Sequence, residues 1–234
     1  MSSFWNNVHS WVASIMRLGR GLASSNPRTD RPSMLLQLYE FEACPYCRKV
    51  REALSELDLE YVCHPAARGS NNRQKVVALG GKALFPFLID PNTGRQMYES
   101  EDILTYLADT YGTGRSASNR TLAPLNTLGS TLVSALRPMG RAVRDAHQNR
   151  IQPARLLELY NFEASPYCRK VRERLNVLNL DVIVHSVAKN GIRRPELVAL
   201  GGKMQVPYLV DPNTGAALYE SADIITYLER TYGE

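Results

Sequence analysis

An internal repeat constrains the fold of this chain more than any other feature. Residues 35–112 align without a gap to residues 156–233, at a constant offset of 121 and with 45 identities over 78 positions. Units of this length exceed the roughly 20–50 residues of a solenoid repeat, and each is long enough to form a compact domain. We therefore predict two copies of one small domain, called copy one and copy two below.

Each copy alternates between strand and helix patterns. In copy one, Val50, Leu54 and Leu57 recur at the spacing of one helical face. Ser100 is predicted to cap the last helix, because its hydroxyl can accept a backbone N–H and acidic residues follow it. The order β-α-β-α-β-β-α predicts an α/β fold with a small mixed sheet between helices. The strands are predicted at 35–39, 61–64, 85–89 and 96–98, and the helices at 45–57, 71–79 and from Ser100 onward.

The repeats divide the chain into four parts. We predict domains at 34–112 and 156–234, an N-terminal segment at 1–33 and a linker at 113–155. Both connecting segments place apolar residues at the spacing of an amphipathic helix, and together they hold eleven Arg against two Asp. Because the positive charge lies in these segments and not in the domains, we expect no nucleic-acid partner despite a pI of about 9.1.

The two amphipathic segments have three interpretations. Packing against the domains is preferred, while a homodimer contact and peripheral contact with an anionic membrane are left open. No apolar run reaches the roughly 18–20 residues of a spanning helix, and we expect no secretory signal. Four cysteines without a disulfide pattern fit a reducing cytoplasm, and an organellar or membrane-peripheral location stays open.

The residues Cys44-Pro45-Tyr46-Cys47 follow a predicted strand and open a predicted helix. A helix N-terminus favours the thiolate of Cys44, and Cys47 lies one turn away, close enough to form a disulfide with it. A redox pair is therefore preferred over a zinc site or two inert thiols. Cys63 and His64 are adjacent on a strand and point to opposite faces, so we expect no metal site.

Three motifs give each copy its resemblance to a known family. Each copy resembles the thioredoxin-like N-terminal domain of glutathione S-transferases, and copy one carries a glutaredoxin-type Cys-Pro-Tyr-Cys site. The resemblance implies two tandem thioredoxin-like domains, a cis-proline whose preceding residue pairs with the cysteinyl part of glutathione, and an acidic-Ser pair that holds its γ-glutamyl group. Besides Cys44 to Cys47, the motifs are Phe85-Pro86 and Glu99-Ser100 in copy one, and Val206-Pro207 and Glu220-Ser221 in copy two.

The sequence departs from the family pattern in two informative ways. The all-helical domain that completes a glutathione S-transferase does not follow copy one, where a linker leads into copy two instead. Copy two reads Ser165-Pro166-Tyr167-Cys168, and a serine cannot form a mixed disulfide. Ser165 is therefore interpreted as a helix cap or, by the resemblance, as a residue that activates the glutathione thiol. Cys168 is expected to be buried and unreactive.

The leading functional hypothesis is a glutathione-linked thiol-disulfide oxidoreductase that acts on disulfide or glutathionylated substrates, with a degenerate second domain. The alternatives are a glutathione transferase that uses Ser165 or Cys44, and a glutathione-binding scaffold. Glutathione is the expected co-substrate, and a [2Fe–2S] cluster bridging two Cys44 thiolates is the least favoured option. The predicted site residues are Cys44 and Cys47 as catalytic residues, Tyr46, Phe85, Pro86, Glu99 and Ser100 for glutathione, and Ser165, Tyr167, Val206, Pro207, Glu220 and Ser221 in copy two.

Overall fold

The computed structural model of the chain describes residues 21–24, 31–114 and 139–234. The predicted N-terminal amphipathic helix and most of the predicted linker helix lie outside the described residues. The end of the linker is described, and residues 139–144 form a turn and a short bridge where a helix was predicted. The backbone of this stretch bonds to Arg68 of copy one, so residues 139–144 do not form the predicted helix.

Copy one folds in the predicted order, with boundaries shifted by one or two residues. Strand β1 and helix α1 lead into a parallel strand, and a second helix then precedes a hairpin and a closing helix. The elements are β1 (Leu36–Glu40), α1 (Pro45–Glu56), β2 (Tyr61–Pro65), α2 (Asn72–Gly80), β3 (Phe87–Asp90), β4 (Arg95–Met97) and α3 (Ser100–Tyr111).

Copy two repeats this order after a single 3-10 turn at Asp145–His147. In each copy the first two strands are parallel and the third is antiparallel to the first. Both copies therefore have the thioredoxin-like fold. The elements are β5 (Leu157–Asn161), α4 (Pro166–Val177), β6 (Val182–Ser186), α5 (Arg194–Gly201), β7 (Tyr208–Asp211), β8 (Ala216–Leu218) and α6 (Ser221–Tyr232).

The two copies share one sheet, which the sequence did not predict. The eight strands run in the order β4-β3-β1-β2-β6-β5-β7-β8, so β2 and β6 join the copies. These strands are antiparallel, and Val62 pairs with Ile183, its own equivalent in the repeat. A pseudo-twofold axis therefore passes through the Val62–Ile183 pair and relates copy one to copy two.

The helices cover both faces of this sheet. One continuous apolar core includes Val50 and Leu54 of α1 together with Val171 and Leu175 of α4, so it spans both copies. On the other face, α2 and α5 each cover a separate small cluster, built around Val76 and Leu197. No helix in the described ranges is long and apolar enough to cross a membrane.

The segments that precede each copy cross over to the other copy. Residues 21–24 precede copy one but pair with Lys189 of copy two, and residues 139–143 precede copy two but pair with Arg68 of copy one. Each contact consists of two backbone hydrogen bonds of 2.7–2.9 Å, and Arg68 and Lys189 are equivalent positions. The pseudo-twofold symmetry thus extends beyond the aligned repeat.

Candidate active site

Cys44 occupies the N-cap of α1, with extended backbone angles of φ −78° and ψ 122°. Pro45 follows at the first helical position, where a missing N–H costs nothing and the fixed φ suits the helix. The Sγ of Cys44 accepts a hydrogen bond from the backbone N–H of Cys47 at 3.3 Å. The N–H of Cys44 in turn donates to the carbonyl of Phe41 at 3.0 Å, which fixes the turn before the helix.

The surroundings of the two thiols separate their acidities. Hydrogen bonds from the Cys47 thiol and from the backbone N–H groups of Cys47 and Tyr46 lower the pKa of Cys44, although burial opposes them. Burial and the neighbouring Cys44 raise the pKa of Cys47 well above its ordinary value. Cys44 keeps 4% of its surface exposed, whereas Cys47 keeps none. Cys44 is therefore the more acidic of the two thiols and the one that reaches solvent, and Cys47 lies behind it.

A cleft of about 220 Å³ lies beside this helix start. The Phe85-Pro86 peptide bond in its wall is cis, as the resemblance implied. The Sγ of Cys44 lies 4.0 Å from the carbonyl oxygen of Phe85, so the thiol is next to one wall of the cleft. The structure therefore brings together all five residues predicted to bind glutathione in copy one. The cleft is lined by Tyr46, Leu84, Phe85, Pro86, Glu99 and Ser100.

The prediction that Ser100 caps α3 is wrong. The N-cap is Glu99, and Ser100 is the first helical residue. Glu99 adopts φ 61° and ψ 113°, a left-handed conformation that is uncommon for a residue with a side chain. Its carboxylate makes no cap hydrogen bond to the helix. The strained backbone thus turns the start of α3, the positive end of its helix dipole, toward the cleft.

Arg73 is a residue near the cleft that the sequence analysis missed. Its guanidinium lies 4.7 Å from the centre of the Phe85 ring, in a cation–π contact. Its buried Nε has no hydrogen-bond partner within the described ranges, and partial burial lowers the pKa of Arg73. The equivalent Arg194 instead donates to the carbonyl of Val187. The pattern of α2 gave no signal for this role, because an Arg in the first turn reads as a solvated side chain.

Copy two keeps the backbone of the site without its nucleophile. Ser165 caps α4, and its Oγ accepts the N–H of Cys168 at 3.3 Å. Burial raises the pKa of Cys168. The Val206-Pro207 bond is cis, and Glu220 repeats the positive φ of 61°.

Gln205 occupies the position in copy two that Leu84 occupies in copy one. The side-chain amide of Gln205 donates a hydrogen bond to the carboxylate of Glu220. The acidic side chain that the resemblance assigns to the γ-glutamyl group is therefore already bonded within copy two. Tyr167 remains partly exposed and Ser221 begins α6, as their equivalents do in copy one.

Cys63 and His64 do face opposite ways. Cys63 Sγ donates to the buried Glu40 at 3.2 Å, while His64 stacks on Tyr39 and bonds to Asp181 of copy two at 2.7 Å. All four cysteines are free thiols. Within the described part of the chain, no group of three or more His, Cys, Asp or Glu residues could hold a metal ion. Nothing in that part supports the [2Fe–2S] cluster.

Comparison with known proteins identifies the family. A family model described as the N-terminal domain of glutathione S-transferase matches residues 38–116 and again residues 159–234. Among solved structures, Leishmania TDR1, described as a unique trimeric glutathione transferase, is 14% identical with a TM-score of 0.31, over 86% of this chain and 68% of that chain. Comparison with curated proteins finds no significant match. The two matched segments cover most of the chain, which therefore belongs to the glutathione S-transferase N-terminal domain family.

Proposed function

We propose that this protein is a glutathione-linked thiol-disulfide oxidoreductase that works through copy one. One observation carries the proposal. Cys44, whose pKa is lowered at the N-terminus of α1, lies 4.0 Å from the Phe85 carbonyl oxygen, in the wall of the cleft that Pro86, Glu99 and Ser100 also line. A family fold that binds glutathione and a nucleophilic sulfur at its binding cleft together favour exchange between glutathione and a disulfide.

The first step transfers glutathione from the substrate to the protein. The Cys44 thiolate attacks the glutathione sulfur of a glutathionylated substrate, and a Cys44–glutathione disulfide forms. The substrate sulfur leaves with the electron pair of the broken S–S bond and takes a proton from water. The substrate is thereby reduced by two electrons, and Cys44 is oxidised.

The second step restores the Cys44 thiolate by one of two routes. A second glutathione thiolate attacks the glutathione sulfur of the mixed disulfide, releasing glutathione disulfide and the Cys44 thiolate. Alternatively, Cys47 loses its proton and attacks Cys44, so glutathione leaves as a thiol and the Cys44–Cys47 disulfide forms. Two further glutathione molecules then reduce that disulfide and become glutathione disulfide. Because burial raises the pKa of Cys47, we expect the first route to carry most turnover.

Charged groups around the cleft match the charges of glutathione. The positive dipole end at the start of α3 suits a carboxylate, and Glu99 offers a carboxylate to the γ-glutamyl ammonium group. Arg73 lies beside Phe85, and its buried Nε lacks a hydrogen-bond partner among the described residues, which suits the other carboxylate of the tripeptide. These assignments support a site built for glutathione rather than for a disulfide of any kind.

The test is to trap the intermediate in the Cys47→Ser variant. The variant is mixed with a glutathionylated peptide and analysed by intact mass spectrometry, with Cys44→Ser as the matched control. We expect one glutathione on Cys44 in the first variant and none in the second. Glutathione conjugation of an electrophile that survives Cys44→Ser but not Ser165→Ala would favour the transferase instead. Glutathione binding without any adduct or turnover would favour a scaffold.

A further inference from the structure

A buried cluster of charged side chains joins the two copies where α1 lies beside α4. All of its members are at most 4% exposed. Arg51 of copy one and Arg172 of copy two each bond to a glutamate of the other copy, so the contacts follow the pseudo-twofold axis. The cluster consists of Glu40, Glu42, Arg48, Arg51, Glu163, Arg169 and Arg172.

One part of this cluster holds the loop that leads into Cys44. The carboxylate of Glu42 accepts a hydrogen bond from Nε of Arg172 at 2.9 Å and pairs with Arg51 at 3.1 Å. The backbone N–H of Glu42 donates to Oδ1 of Asn176 at 3.1 Å. Arg172 and Asn176 both belong to α4 of copy two. The other copy therefore holds both the side chain and the backbone of a residue two positions before the nucleophile.

The supports around Asn176 fix its orientation. Its Nδ2 donates to the carbonyl of Arg172 at 3.1 Å, which leaves Oδ1 directed at the Glu42 N–H. Gly140, at φ 77°, packs against Glu42 and Asn176, and a Cβ at residue 140 would lie 3.3 Å from Cβ of Glu42. Burial alone would raise the pKa of Glu42, but Arg172 and Arg51 outweigh burial and hold that pKa well below its ordinary value. The carboxylate thus stays charged and bonded.

We propose that Asn176 and Arg172 of copy two are positioning residues for the Cys44 thiolate of copy one. The proposal rests on the proposed function only in giving Cys44 the role of nucleophile. The loop from Phe41 to Cys44 is closed by a hydrogen bond from the Cys44 N–H to the Phe41 carbonyl. This turn fixes the position of the Cys44 Sγ relative to the backbone N–H of Cys47. Copy two, which has no nucleophile of its own, therefore completes the site of copy one.

The pseudo-twofold symmetry supplies a matched control. Ser55 is the equivalent of Asn176, and its Oγ accepts the N–H of Glu163 at 3.4 Å, in the loop before Ser165. Ser55 is also buried and donates to the carbonyl of Gly21 at 3.0 Å. Ser55→Ala thus removes an interdomain contact of the same kind, but the loop that loses its contact is the one before Ser165, which carries no thiol at the N-cap.

The experiment measures the pH dependence of Cys44 alkylation by iodoacetamide in the full chain, with the modified residue identified by mass spectrometry. Asn176→Ala is expected to raise the pH midpoint and to slow alkylation at neutral pH by about threefold or more, because a loosened loop weakens the bond to the thiolate. Ser55→Ala is expected to stay within about twofold of wild type. Asn176→Ser, which installs the residue used at position 55, should recover most of the wild-type rate.

The outcomes separate this inference from the proposed function. An unchanged alkylation profile in Asn176→Ala would overturn the positioning role, and so would equal slowing by Asn176→Ala and Ser55→Ala. If Asn176→Ala fails to fold, Arg172→Lys is compared with Ser55→Ala by the same profile, and slowing in Arg172→Lys alone is the expected result. A wild-type Cys44 that titrates as an ordinary thiol would instead contradict the proposed function, whatever the variants do.

Discussion

The Sγ of Cys44 accepts a hydrogen bond from the backbone N–H of Cys47 at 3.3 Å, and copy two repeats this bond with an oxygen in place of the sulfur. There, Oγ of Ser165 accepts the N–H of Cys168 at the same distance of 3.3 Å. The helix start, the following proline and the cis-proline opposite it are shared by both copies. The chemical difference between the copies at this bond is therefore a single atom, and copy two serves as an internal reference for copy one.

Ser165→Cys is predicted to give copy two a reactive thiol. The new sulfur would sit at the N-cap of α4 and receive the N–H that now bonds to Ser165, which stabilises a thiolate. Peptide mapping after limited alkylation should find a second modified site at residue 165, labelled within about tenfold of the Cys44 rate. Labelling only at Cys44 would show that the helix start alone does not activate a sulfur.

The buried charge cluster predicts a large stability effect at Arg51. This side chain pairs with Glu40, Glu42 and Glu163. Its removal would take the ion-pair partner from buried Glu40 and would leave Glu42 and Glu163 to Arg172. Arg51→Met is expected to lower the free energy of unfolding by about 3 kcal/mol or more, measured by urea denaturation.

A surface ion pair provides the control for that measurement. Arg144 pairs with Glu229 at 2.7 Å, but its side chain is 41% exposed. Arg144→Gln should change the free energy of unfolding by less than about 1 kcal/mol, because exposed pairs contribute little. Similar losses in the two variants would contradict the view that burial makes the Arg51 contacts important.

The hydrogen bonds to Asp90 predict that the free energy of unfolding falls in acid. It is fully buried, and the hydroxyls of Tyr106 and Tyr111 donate to its carboxylate. Burial would raise the pKa of Asp90, but these hydrogen bonds and those from Asn92 outweigh burial and lower it. A carboxylate with a lowered pKa in the folded state stabilises the fold above its unfolded pKa of about 3.9. That stability is lost as the pH falls through the folded pKa.

Asp90→Asn tests this sign directly. The variant should be less stable than wild type at neutral pH, and the difference in urea midpoint should shrink as the pH is lowered below about 4. Asp211, which bonds to Tyr227 and Tyr232 in copy two, should behave in the same way in Asp211→Asn. A difference between wild type and variant that stays constant with pH would show that the ionised carboxylate is not the stabilising form.

Much of the fold and of the site in copy one could be predicted from local patterns and the family resemblance. The element order followed from apolar spacing and turn residues, because these reflect which side chains each helix or strand must bury. The residues of the cleft could be predicted because each belongs to one of three motifs. One motif begins α1, another forms the cis-proline turn and the third begins α3. The positive φ of Glu99 could not be predicted from the local sequence, and for this reason the sequence predicts the N-cap at Ser100 instead of Glu99.

The join between the copies could not be predicted in the same way. β2 pairs with β6, a strand 121 residues away in the sequence. The local spacing of apolar residues predicts strands but does not predict which strand edges pair. The local pattern of α1 does not indicate that Arg48 and Arg51 are buried, but both are. Their acidic partners include Glu163, which lies 112 residues from Arg51 in the sequence. Only the assembled pair of copies shows which of these buried charges pair with one another.

Glutathione-dependent reduction of a glutathionylated peptide by wild type, Cys44→Ser and Cys47→Ser shows whether Cys44 is the nucleophile. We expect turnover by wild type, a loss of about a hundredfold or more in Cys44→Ser, and substantial activity in Cys47→Ser, because glutathione itself can resolve the Cys44 adduct. Equal turnover in wild type and Cys44→Ser, or none in wild type, would contradict this role of Cys44.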